Sequence, residues 1–173
     1  MLLMAILISI WLSVLCYTDC RYRVLPNILT VGGASVALAV RYGAGGWVAG
    51  NAGLAGGIVC GLFLILPFIL HSAGGGDVKM LFAVGCIMGL DKAAEVILFT
   101  SLAGILLMFV MLVAGMADGR RLGHYFHCLF DWRYDRAAGK AALPPKDSEK
   151  VRVPFGVAIA VGTWATLLWR LSW

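Results

Sequence analysis

The feature that most limits how this chain can fold is a series of long apolar runs separated by short polar breaks. The runs extend from about Leu2 to Thr18, Ile28 to Arg41, Ala52 to His71, Val78 to Leu90, Ala94 to Met116 and Val153 to Leu171. They are continuous, with no alternation of apolar and polar residues, and most are long enough to cross a bilayer. Lipid cannot hydrogen-bond the backbone, so a crossing segment is a helix or part of a closed barrel. Continuity selects helices. The expected fold is therefore all-α, a multi-pass membrane helix bundle of about six transmembrane helices. Composition agrees, because 61% of the 173 residues are hydrophobic and only 13% are charged, against about half apolar in a soluble domain. The fourth run is the shortest for a crossing, so tilt or a re-entrant path is the alternative there.

Charge orients such a bundle. With the N-terminus outside, Arg21, Arg23, Lys79 and the basic residues from Arg120 to Arg152 all fall on the inner side. Arg41, Lys92 and Arg170 fall on the outer side. This is the positive-inside pattern, and it predicts both termini outside. A re-entrant fourth run would put the basic stretch on the wrong side, so the pattern favours a full crossing. The chain reads as one membrane domain over residues 1–173, with a basic cytoplasmic loop at 117–152. That loop accounts for the net charge of +5 through attraction to headgroups, so the expected partner is the lipid bilayer and not nucleic acid. No Lys or Arg precedes Asp19, so the first run lacks the basic start of a signal peptide and reads as a retained span.

Cys16, Cys20, Cys60, Cys86 and Cys128 form no C-x-x-C pair, which argues against structural zinc and against a disulfide framework. His124, His127 and Cys128 carry metal-ligand chemistry, but their aromatic, basic surroundings fit interfacial anchoring better. Gly53, Gly57 and Gly61 recur every four residues, as do Gly85 and Gly89. Small faces of this kind let helix backbones pack closely in lipid.

Two acids stand apart. Asp19 closes the first run and Asp77 opens the fourth, and the six-span topology puts both at the inner membrane face. A carboxylate near a bilayer is costly enough to need a reason. Ending a helix is one reason. A sharper one is catalysis: two carboxylates held close share a proton, so one activates water while the other donates to a carbonyl oxygen. This chemistry calls for no metal or cofactor. Gly74, Gly75 and Gly76 precede Asp77, and an unwound glycine run would let a substrate backbone come close. Helix ends suggest an order within the pair, with Asp77 at an N-terminus as the base and Asp19 at a C-terminus as the acid.

Two stretches carry a family resemblance. Asp19 to Asn27 reads D-x-R-x-R-x-L-P-N, and Gly74 to Met80 reads G-G-G-D-V-K-M. Both are similar to the signatures of the type IV prepilin peptidases, bacterial inner-membrane aspartyl peptidases of the GxGD class. V-P-F-G-V-A-I-A-V-G, from Val153 to Gly162, resembles the family's last-span segment. The resemblance implies that Asp19 and Asp77 are the catalytic acids and that Gly74 and Gly76 are the motif glycines. It implies cleavage of the basic leader of a prepilin or pseudopilin at the cytoplasmic face, just after a Gly at the leader's end.

The cysteine-paired region of the larger, bifunctional members is not seen, so N-methylation is not expected. The short form is more similar to tight-adherence (Flp) pilus peptidases, and it equally fits a compact peptidase for another pilus or secretion system. Arg21, Arg23 and Lys79 have two readings: they fix topology, or they tune the acids and touch the substrate. Two other classes compete. A presenilin-like peptidase would hold its other Asp deeper within a span. A small transporter or a non-enzymatic assembly factor would also tolerate intramembrane acids and glycine breaks.

Overall fold

The computed structural model describes residues 2–22, 24–69, 74–114 and 155–171. Arg23, His71, the 117–152 loop and, within that loop, His124, His127 and Cys128 lie outside the described residues. All regular structure among the described residues is helical: α1 (Leu2–Tyr22), α2 (Asn27–Ile69), α3 (Gly75–Met88), α4 (Leu90–Val113) and α5 (Phe155–Leu171). The all-α membrane class read from the apolar runs is what the chain adopts. α1, α2 and α4 are each long and apolar enough to cross a membrane, and α5 is a shorter apolar helix. Two compact units divide the chain, residues 1–104 with 154–173, and residues 105–153. Of the second unit, the described part is the C-terminal stretch of α4 and Ala114.

α2 has 43 residues, about twice what one crossing needs. It turns at Gly46, whose φ of 69° and ψ of −169° belong to a region that side-chain-bearing residues avoid. Contacts with α3 give the direction of each limb. In the first limb (27–45), Asn27 meets Lys79 near the start of α3, and Arg41 meets Ile87 near its end. That limb runs with α3. In the second limb (47–69), Gly53 lies against Cys86, Gly57 and Gly61 against Phe82, and Phe68 against Gly75. That limb runs against α3. The second and third apolar runs are thus the two arms of one helical hairpin, and the polar break between them remains helical up to its turn.

A polar clasp holds the turn. Arg41 donates from Nε and Nη2 to the Ile87 carbonyl at 3.3 and 2.9 Å, and from Nη1 to the Ala49 carbonyl at 3.2 Å. The guanidinium so satisfies carbonyls at a helix end, where no intrahelical donor remains. The Tyr42 hydroxyl donates to Asn51 Oδ1 at 2.8 Å. α3 stops nearby at Gly89, whose φ is 88°. The Gly89 N–H bonds the Gly85 carbonyl at 2.8 Å, and α4 begins at once.

The core of the first unit joins Leu12 and Leu15 of α1, Cys60 and Leu64 of α2, Met80, Leu81 and Val84 of α3, Val96 of α4 and Ile159 of α5. Large apolar side chains such as Leu3, Leu7 and Ile10 stay exposed, as lipid-facing residues do. Glycines bring α2 and α3 into backbone contact. A Cβ on Gly56 would stand 2.5 Å from the Gly89 carbonyl carbon and 2.7 Å from the Gly85 oxygen. Backbone cannot step aside as a side chain can, so Gly56→Ala is expected to cost about 1–3 kcal/mol. Gly32→Ala, where nothing lies within 4 Å, is expected to be neutral or slightly stabilising. Thermal unfolding of both variants in detergent checks this contrast, and equal melting temperatures would contradict it.

Candidate active site

Three helix ends meet on one side of the first unit: the last turn of α1 and the first turns of α3 and α5. α3 starts after Gly74, which is extended at φ −82° and ψ 148°. Gly74 has no side chain with which to cap the helix. Asp77 supplies the capping from inside the first turn, its Oδ2 accepting the Gly74 N–H at 3.0 Å. This is the backward-reaching half of a capping box. The acid of the second motif is thereby held by the backbone of the same motif.

Asp19 lies in the last turn of α1 and is 7% exposed. Its Oδ2 accepts the N–H of Gly156, in the first turn of α5, at 2.9 Å. Asp77 is partly buried, and its carboxyl group feels the charge of Asp19. The helices that carry the two acids both pack against α5, and Asp19 is bonded to α5 itself. The helix-end argument for ranking them loses its force here. Asp77 meets the N-terminus of α3 and Asp19 that of α5, so both oxygens face a helix N-terminus.

The glycine run differs from the expected unwound loop. Gly75 and Gly76 are helical, and neither has a positive φ. What they provide is room. A Cβ on Gly76 would stand 3.0 Å from the Leu25 Cβ, one on Gly75 3.4 Å from the Phe68 ring, and one on Gly74 3.1 Å from Asp77 Oδ2. Leu25 belongs to the first motif, so Gly76 is the point where the two motifs touch. Lys79 joins them a second time, its Nζ donating to Asn27 Oδ1 at 2.8 Å. Pro26 starts α2, its carbonyl accepting the Leu29 and Thr30 N–H groups at 3.0 and 3.1 Å. Arg21 is exposed in the last turn of α1.

Reading the residues one by one missed two contacts, Gly156 with Asp19 and Asn27 with Lys79. Both Gly156 and Asn27 stand inside stretches that had drawn attention, the last-span segment and L-P-N, but their partners are far away in sequence.

A helical membrane protein with carboxylates at helix ends that α5 joins fits the membrane aspartyl peptidase class. The profile of the type IV leader peptidase family matches residues 6–109, which include both acids, and the chain belongs to that family. It is accordingly a prepilin peptidase, an aspartic-type hydrolase with prepilin leader peptides as substrates. No curated protein and no solved structure matches the chain.

The Asn27–Lys79 bond lies among exposed residues, where water competes for both groups. A double-mutant cycle with Asn27→Ala and Lys79→Met is expected to give a coupling of about 1 kcal/mol or less. Denaturation of the four proteins measures it, and a coupling several times larger would mean that the link is buried in the working enzyme.

Proposed function

We propose that the protein removes the basic leader from type IV prepilin-like or pseudopilin substrates at the cytoplasmic membrane face, using Asp19 and Asp77 as a water-activating dyad. The observation that carries this reading is the placement of the two acids at helix ends that α5 joins: Asp77 accepts the Gly74 N–H at the start of α3, Asp19 accepts the Gly156 N–H at the start of α5, and α5 packs on both α1 and α3. Two carboxylates in a dyad do not both ionise easily, and they titrate as a pair. The ionised member takes a proton from water as that water attacks the scissile carbonyl. The protonated member donates to the carbonyl oxygen. As the tetrahedral intermediate collapses, a carboxyl proton passes to the leaving amine, which becomes the new N-terminus of the pilin.

Charge topology supports the cytoplasmic face, because Arg21 and Lys79 accompany the acids on the side with more basic residues. It also supports a bacterial inner-membrane enzyme with both termini outside. Asp19 lies three residues from the end of α1, which favours a cut near the membrane surface over one deep in a span, the presenilin-like alternative. The substrate system is proposed to be a tight-adherence (Flp) pilus or another pilus or secretion system. Lys79, held by Asn27, and Arg21 and Arg23 are proposed to tune the acid pair or to contact an acidic residue of the pilin, with Gly74, Gly75 and Gly76 beside the substrate backbone.

Asp19→Asn and Asp77→Asn should each lower leader cleavage by about a thousandfold, in the range expected for losing a positioned acid or base. Co-expression with candidate prepilins, followed by N-terminal sequencing of the product, is the measurement. Cleavage that survives in both variants would refute the dyad. A cut well inside the substrate's apolar helix would refute the surface location.

A further inference from the structure

One residue that contacts the site, Gly156, belongs to neither acidic motif and lies outside the matched residues 6–109. Gly156 is the second residue of α5, and the N–H groups of a first helical turn have no acceptor within their own helix. Asp19 provides one from another helix, so its carboxylate caps α5 across 137 positions of sequence. The fit leaves no spare room. A Cβ on Gly156 would stand 2.6 Å from Asp19 Oδ2, 3.1 Å from its Cγ and 3.4 Å from its Cβ. All three nearest atoms belong to Asp19.

The first turn of α5 is a firm support for this contact. The Phe155 ring packs on Gly104, where a Cβ would come within 2.9 Å of it. Ala158, Ile159 and Ala160 are buried, and α5 packs on both α1 and α3. The donor therefore sits on an element that is itself fixed against the two helices carrying the acids.

We propose that Gly156 is a positioning residue for the peptidase reaction: its N–H anchors one Asp19 oxygen, and its missing side chain leaves space for the carboxylate in that orientation. This rests on the reading of Asp19 as a catalytic acid. Gly156→Ala keeps the N–H but places a methyl group where the oxygen lies, so the carboxylate must move. A displacement of about an ångström costs up to roughly a hundredfold in rate. With Asp19 acting on the reacting bond and not on leader binding, kcat should fall about tenfold to a hundredfold and KM should stay within about threefold.

A stability measurement covers the case in which Gly156→Ala folds poorly. In an Asp19→Ala background the two closest atoms are gone and the 3.4 Å contact is ordinary. Gly156→Ala should therefore lower the melting temperature in the wild-type background and leave it nearly unchanged in Asp19→Ala. Equal melting penalties in the two backgrounds would overturn the proposal. So would a wild-type kcat for Gly156→Ala when Asp19→Asn is inactive, an outcome that leaves the dyad standing. Wild-type cleavage by Asp19→Asn would instead remove the dyad reading, and the catalytic role of Gly156 with it.

Discussion

Backbone groups in a bilayer must be satisfied by the protein itself, and every helix end therefore becomes a problem to be solved locally. This chain solves it in three ways, and its architecture follows from them. At one end of α3 the guanidinium of Arg41 takes up the Ile87 carbonyl. At Gly89 the chain turns and bonds back on itself. On the opposite side the ends are met by carboxylates, Asp77 for α3 and Asp19 for α5. The same two groups that complete these helices are the proposed catalytic pair. On that reading, structural and catalytic demands fall on one pair of side chains.

This overlap explains the glycines around the acids. Gly74 donates its N–H where a capping side chain would otherwise stand, Gly76 gives Leu25 room beside the start of α3, and Gly156 leaves space for Asp19. Their contribution is the close approach of neighbours, whereas positive backbone angles occur at the turns, Gly46 and Gly89. Glycine does two separate jobs in the molecule: close approach, around the acids and along the α2–α3 contact, and the positive angles of the two turns.

Much of the fold was legible because a bilayer requires continuous apolar runs, and such runs are visible without alignment. The hairpin in α2 shows the boundary of that legibility. Residues 42–51 looked like a polar connector, yet they remain helical on both sides of Gly46 because Arg41, Tyr42 and Asn51 find partners among themselves and in α3. The short fourth run stays short because α3 is closed at one end by Asp77 and at the other by Gly89. The two acids were legible from their placement beside charge and glycine. Gly156 and Asn27 were not, because a contact that joins residues 137 or 52 positions apart leaves no local period or spacing. The glycine run was read as unwound because three consecutive glycines disfavour a helix, and here the Asp77 cap outweighs that preference.

The reach of the Asp19–Gly156 bond also sets an order of events during biosynthesis. α1 and α3 emerge from the ribosome early, and both carboxylates are made long before the helix that anchors one of them. Until α5 has entered the membrane, Asp19 lacks its N–H donor and the first turn of α5 lacks its acceptor. A helix made well after both acids is therefore the one that completes this contact, so a partly synthesised chain carries both acids without the finished arrangement.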